Sequence, residues 1–176
     1  MVLKYQSLDI GNQSQFKQIK TLVDNDLSEP YSVWVYRFFL NNWPGLTYIV
    51  IDTELEEEKN VIGCIICKNE LHRNTRRRGY IGMLVVNNEY RGQGIAKNLV
   101  KTAINKMKNE QCDEIMLETE VSNTIAIKLY ENMGFLKMKR LFRYYLNEGD
   151  AYRLILPLTE KSCIRSTFLG DASIDI

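Results

Sequence analysis

The sequence predicts an α/β domain in which a mixed, twisted sheet of seven strands is flanked by about four helices. Three observations lead there. Segments with helical apolar spacing and short β-branched runs follow one another in the order β-α-α-β-β-β-α-β-α-β-β. That order joins an antiparallel meander to a strand–helix–strand crossover, which requires parallel neighbours. The chain has 176 residues, 45% hydrophobic and 26% charged, enough for one sizeable core and cramped for two.

A short strand is expected at Val2 to Leu8. Behind the polar start of "NQSQFKQIKTLVDNDL", Phe16, Ile19, Leu22 and Val23 fall on one helical face. The loop Leu27 to Tyr31 leads to a second helix in "SEPYSVWVYRFFLNNWPG", with a proline near its start, an aromatic body and a Pro-Gly stop. Strands follow at "LTYIVID", "VIGCIICK" and "GYIGMLVV", separated by polar turns, of which Glu54 to Lys59 reads as a solvated hairpin tip. From Gly94 the stripe Ile95, Ala96, Leu99, Val100, Ala103, Ile104, Met107 marks a third helix, followed by the strand "EIMLETEV". "NTIAIKLYENMGF" is the fourth helix, with Asn123 as N-cap and Gly134 as its stop. "FLKMKRLFRYYLN" and "DAYRLILPL" are expected to close the domain, residues 1–158, as a hairpin across Glu148 and Gly149. The remaining extension, residues 159–176, shows no pattern; Ile164, Phe168 and Leu169 stand among polar residues, which leaves it disordered or docked on a partner.

A formal net charge of +1 gives no overall field to gather nucleic acid. There is no run of 18 apolar residues and no leader with a cleavage site, so a cytoplasmic protein is expected. The four cysteines suit a reducing compartment. Cys64 and Cys67 form a C-x-x-C, but three apart on a strand they point to opposite faces, so no metal site is expected. "HRNTRRRG" holds the single histidine and four arginines. It reads as a solvated hairpin tip, with contact to ribosomal RNA or a partner subunit as the alternative.

The stretch "YIGMLVVNNEYRGQGIAKNLV" runs from a strand through a tight glycine turn into a helix. Amides of the first helical turn point outward there with the positive end of the helix dipole behind them, an arrangement that binds anions. The spacing Arg91-x-x-Gly94-x-Ala96 is neither the phosphate loop of nucleotide hydrolases nor the dinucleotide turn. It resembles the acetyl-coenzyme A signature of the GCN5-related N-acetyltransferase (GNAT) superfamily, and "SNTIAIKLYENMGF" resembles a later motif of the same superfamily. By this resemblance the coenzyme pyrophosphate lies on Arg91, Gly92, Gln93, Gly94, Ile95 and Ala96. The pantetheine arm runs along Leu84, Val85 and Val86 where the sheet splays, and Asn123 and Tyr130 complete the coenzyme site. "LSEPYSVWVYRFFLNNWP", "RGYIGMLVV", "LETEVSN" and "RYYLNEGDAYRLILPLTEKSC" narrow the resemblance to the catalytic chains of NatC-type N-terminal acetyltransferases.

The reaction so implied is attack of a protein's free α-amine on the acetyl thioester. An α-amine titrates near 7.7 to 8.0, so roughly a tenth is neutral at pH 7 and only modest help from a base is needed. The resemblance puts that base at Glu118, acting directly or through a water. It gives Tyr130 the hydroxyl that meets the leaving thiolate and Tyr80 a hold on the acceptor amine or its water; a backbone N–H near Val85 would meet the oxyanion. Against this stand a solvated-edge reading of Glu118 and a core reading of Tyr130.

Related enzymes bind peptide at places matched here by Leu27, Glu29, Pro30 and Tyr31, with Tyr80 and Glu118 beneath them and Tyr144 and Tyr145 opposite. Read as strand residues, Tyr144 and Tyr145 point to opposite faces, so one of them faces peptide. The implied substrates are nascent protein N-termini that begin with Met and a bulky apolar residue (Leu, Ile, Phe, Trp). The implied partners are a large scaffold and a small Sm-like subunit, with possible ribosome contact. Acetylation of internal lysines or small amines is the alternative reaction, and a non-catalytic coenzyme-binding subunit the alternative role.

Overall fold

A computed structural model of the chain describes residues 1–27 and 29–163. Seven strands form a single sheet in the order β1-β2-β3-β4-β5-β7-β6. In chain order the elements are β1 (Leu3–Ser7), α1 (Gln13–Asp26), α2 (Val33–Asn42), β2 (Thr47–Asp52), β3 (Val61–His72), β4 (Arg76–Val86), α3 (Ile95–Asn109), β5 (Glu114–Glu120), α4 (Thr124–Glu131), β6 (Leu136–Leu141), β7 (Ala151–Pro157) and α5 (Glu160–Cys163). The mixed seven-stranded sheet is the expected one; α5 is a fifth helix where about four were expected.

Local chemistry sets the helix ends. The Asn12 side chain accepts from the Gln15 amide at 3.0 Å and opens α1. Asn123 accepts from the Ala126 amide at 3.1 Å and opens α4, as its sequence predicts. Gly134, at φ +95°, follows α4 and turns the chain into β6. Each face of the sheet carries its own core. Leu99, Val100, Ala103 and Met107 of α3 pack with Cys67, Ile81 and Leu117 on one side. Ile19, Val23, Tyr36 and Phe39 of α1 and α2 pack with Cys64, Ile66 and Met83 on the other. Cys64 and Cys67 are therefore buried thiols on opposite faces, as strand alternation requires.

One interruption of the sheet matters for function. β4 and β5 are parallel neighbours only from Arg78 to Tyr80, opposite Glu114 to Met116. Beyond that point β4 continues to Val86 along β3, while β5 continues to Glu120 along β7. The two central strands separate into a wedge. The β3–β4 register also slips between Ile66 and Cys67, leaving Gly82 as a bulge in β4 at the start of the opening. A Cβ on Gly82 would lie 2.8 Å from the Phe39 ring, so glycine is required for α2 to pack this closely.

Three expectations need correction. The hairpin tip between β3 and β4 is only Arg73 to Thr75, a turn with positive φ at Arg73 and Asn74; Arg76, Arg77 and Arg78 belong to β4. Arg78 Nε donates to Glu114 at 2.7 Å, Arg76 lies 3.8 Å from the same fully buried carboxylate, and Arg77 donates to Asn69 at 3.1 Å. Two of the four arginines, Arg76 and Arg78, therefore neutralise a carboxylate inside the protein instead of joining a solvated charge patch.

The second correction concerns Tyr144 and Tyr145. Strand β6 stops at Leu141, and the backbone has positive φ at Arg143 and Glu148. Both tyrosine amides donate to the Gly149 carbonyl, at 3.0 and 3.1 Å. These residues occupy a wide loop, so strand alternation does not govern them. The third concerns the domain end. Thr159 Oγ1 donates to Asp113 at 2.9 Å, and Ser162 Oγ donates to Glu114 at 2.9 Å, so residues 159–163 pack against the domain. Ile164, Phe168 and Leu169 lie outside the described residues.

Candidate active site

The wedge between β4 and β5 leads into a cavity of about 200 Å³ lined by Asp26, Leu27, Glu29, Tyr31, Ile81, Gly82, Met83, Leu84, Leu117, Glu118, Thr119, Glu120, Asn123, Ala126, Tyr130 and Tyr145. A larger open groove of about 1480 Å³ along α1 and α2 shares no lining residue with it.

Glu118 has each of its two carboxylate oxygens held by a different neighbouring strand. Tyr80 of β4 donates its hydroxyl to Oε2 at 2.6 Å. Arg153 of β7 donates Nε to Oε1 at 3.0 Å, and its Nη2 lies 2.9 Å from the same oxygen. Only 8% of the Glu118 side chain is exposed, which sets aside the solvated-edge reading. Burial first, and then the neighbouring Glu118 carboxylate, push the Tyr80 phenol far above its ordinary range. Tyr80 is thus a neutral donor to Glu118, and it has no basic form to offer at physiological pH.

Tyr130 is a core residue that also reaches the cavity. Its ring is buried, with 5% exposure, and meets Phe135 edge-on at 5.3 Å, yet the residue lines the cavity. Burial raises its pKa well above the usual phenol range, so its hydroxyl carries a proton. Asn123 lines the same cavity as the α4 cap.

The glycine turn is built for close approach. Gly92 and Gly94 have φ of +76° and +77°, which glycine adopts without strain, and a Cβ at either would meet nothing within 4 Å. Gly94 caps α3 with no side chain over its leading amides. Arg91 Nε donates to the Val86 carbonyl at 3.1 Å, and the guanidinium also pairs with Asp26 at the end of α1. Gln93 is exposed and Ala96 partly so, whereas Ile95 is a core side chain. Val85 and Val86 are likewise buried core side chains, and neither lines the cavity, which Leu84 does. These open amides, the half-exposed cation and the adjoining wedge fit a long, phosphate-bearing thioester.

Two loops wall the cavity. Leu27, Glu29 and Tyr31 come from the α1–α2 connection, while Pro30 is exposed and does not line it. Tyr145 comes from the β6–β7 loop, and Tyr144, 45% exposed, stacks edge-on against it at 5.0 Å. Glu29 Oε1 accepts from the Leu146 amide at 2.7 Å and ties the two walls together. Sequence reasoning missed two residues here. Arg153 becomes visible only through the β5–β7 register, which sets it opposite Glu118; Asp26 carries no local signal of its contact with Arg91.

A mixed sheet opened between two parallel strands, with a glycine-rich anion turn at its mouth, defines an acetyl-coenzyme A-dependent acyltransferase. Residues 16–135 match the acetyltransferase (GNAT) family, and the chain belongs to that family, whose enzymes take their acetyl group from acetyl-coenzyme A. Over 169 residues it is 65% identical to N-alpha-acetyltransferase 30 of Saccharomyces cerevisiae, covering 96% of each chain. It is 49% identical over 140 residues to N-alpha-acetyltransferase 30 of Schizosaccharomyces pombe, covering 80% of this chain and 90% of the relative. Its fold superposes with a TM-score of 0.88 and 64% identity on a chain in the crystal structure of the NatC complex bound to Gag peptide and CoA, covering 90% of this chain and all of that one. Together these relatives make the chain an N-alpha-acetyltransferase.

Proposed function

We propose that this chain is the catalytic subunit of a NatC-type complex and acetylates the α-amine of proteins that begin with Met followed by Leu, Ile, Phe or Trp. The observation that carries the reading is the Glu118 carboxylate, buried and held from two strands where the β4–β5 wedge meets a cavity walled by Leu27, Tyr31 and Tyr145. The fixed carboxylate accepts the proton of the amine, directly or through a water, as the new C–N bond forms. Tyr80 holds the carboxylate in place. Tyr130 presents its protonated hydroxyl at the coenzyme side, where the C–S bond breaks and the electron pair leaves with sulfur. Acetyl-coenzyme A supplies the activated acetyl group; Arg91, Gly92, Gly94 and the amides of α3 hold its phosphates.

The apolar walls favour a Met side chain and a bulky second residue. The Glu29–Leu146 bond spans the two loops, which favours a chain terminus over a lysine projecting from a continuous chain. Subunit docking, on a large scaffold and a small Sm-like chain, is supported by the solved NatC assembly to which this chain is similar, and by Trp34 on α2, 70% exposed, an unusual position for so large an apolar group. Ribosome contact belongs to the same reading. It would use Arg73 and surfaces other than the internally engaged Arg76, Arg77 and Arg78. A cytoplasmic site of action follows from substrates that are nascent chains; among the described residues no helix is long and apolar enough to cross a membrane.

The test is a peptide panel with free N-termini. Met-Leu, Met-Ile, Met-Phe and Met-Trp peptides are expected to exceed Met-Asp and Ser-Glu peptides by at least about tenfold in kcat/KM, the scale on which an apolar pocket discriminates. Equal rates across the panel would overturn the assignment.

A further inference from the structure

We infer that Arg153 is a positioning residue for the transfer reaction: it sets its charge against one oxygen of Glu118 and leaves the other, beside the Tyr80 hydroxyl, as the proton acceptor. The inference rests on the reading of Glu118 as the base. Nothing in the motifs of the chain singles out Arg153; the sheet does so by placing it directly across from Glu118 on the antiparallel β5–β7 pair.

The guanidinium faces one carboxylate oxygen only, with Nε at 3.0 Å and Nη2 at 2.9 Å from Oε1. Its positive charge stabilises the electron pairs of that oxygen, which makes Oε1 the poorer proton acceptor. Oε2 holds the neutral Tyr80 hydroxyl at 2.6 Å; a carboxylate oxygen has about two acceptor sites, so a second site on Oε2 remains for an amine or its relaying water. Arginine suits this role because two donors of its planar fork hold the charge against Oε1, where a lysine supplies one point charge. The burial is arranged to match. Glu118 is 8% exposed and Arg153 34%, so the cation reaches in from the more open side while the carboxylate stays within the wedge. When the amine surrenders its proton, the proton goes to Oε2, and the Arg153 contacts on Oε1 are undisturbed.

The experiment is a double-mutant cycle in the full-length chain, in the assembly in which it is purified, with acetyl-coenzyme A and a Met-Leu peptide. Arg153→Met is expected to lower kcat by about tenfold to a hundredfold, the scale of a charge-assisted contact, with KM for acetyl-coenzyme A unchanged. Arg153→Lys should recover part of the loss. In a Glu118→Gln background, Arg153→Met should have little further effect, because it acts only through the carboxylate. A merely structural role would lower kcat by the same factor in both backgrounds, and that result overturns the inference, as does a kcat of Arg153→Met within twofold of the parent. If Arg153→Met does not fold, the uncharged Arg153→Gln takes its place in the cycle, and the same two results overturn the inference. Full activity of Glu118→Gln would instead remove the base assignment itself, a result distinct from either.

Discussion

Replacing Gly94 by valine separates the backbone role of the glycine turn from its ligand role. Gly94 has φ +77°, where an L-residue with a Cβ costs about 1–2 kcal/mol. In a chain of 176 residues that lowers the melting temperature by about 2–8 °C, so the variant remains folded at 25 °C. No atom lies within 4 Å of the added Cβ, so the protein itself is not overpacked. The side chain instead projects into the space beside the amides of α3 through which phosphate oxygens must approach. Loss of one charge-assisted amide contact, at about 1.5–3 kcal/mol, corresponds to a rise in Kd of about tenfold to a hundredfold. Titration calorimetry with coenzyme A reads this directly. Glycine-to-alanine at the same position should show nearly the same loss of stability and a smaller loss of affinity. A folded Gly94→Val protein that binds coenzyme A as tightly as the parent would refute the placement of the phosphates on this turn.

Three further outcomes follow from the site. Glu118→Gln keeps the shape of the side chain and leaves coenzyme binding intact, but turnover should fall by about tenfold to several hundredfold; unchanged turnover between pH 6 and 9 would move the base elsewhere. Glu29→Ala removes the acceptor for the Leu146 amide and should raise KM for peptide about tenfold without altering coenzyme affinity, as measured by steady-state kinetics; an unchanged peptide KM would mean that the two walls hold without this tie. Burial pushes the Cys64 thiol up to about 12 and Cys112 up to about 11, so both stay neutral at pH 8, and Cys67 is buried with them. A thiol-alkylating reagent should label exposed Cys163 alone in the native protein and all four cysteines after denaturation, counted by intact mass; rapid native labelling at more than one site would contradict the packing.

What the sequence revealed was governed by local rules. The stripe from Ile95 to Met107, the Asn123 cap and the glycines at positive φ are each dictated by neighbours within a few residues, so periodicity and turn chemistry found them. The misreadings came from long-range partners. "LFRYYL" has the aromatic character of a strand, yet Tyr145 lines the cavity and the backbone folds around the Gly149 carbonyl. The arginines of "RRRG" look like a solvated run until β5 brings the buried Glu114 beside them. Arg153 is invisible for a similar reason: its partner lies 35 residues away in sequence, and only the register of β5 against β7 makes them neighbours. The glycine turn at the start of α3 was legible because it is local backbone chemistry. Of the carboxylate clamp, Glu118 and Tyr80 were named only through the family resemblance and Arg153 not at all, because the clamp is assembled from three strands.

The central claim is that the acetyl group goes to a chain terminus and not to a side-chain amine. A single peptide that begins Met-Leu and carries an internal lysine presents both amines to the enzyme at equal concentration, and fragmentation mass spectrometry locates the added acetyl group. Acetylation confined to the α-amine, and abolished by prior formylation of that amine, is the predicted result. Acetyl groups on the lysine at a comparable rate, or persisting after the N-terminus is blocked, would contradict it.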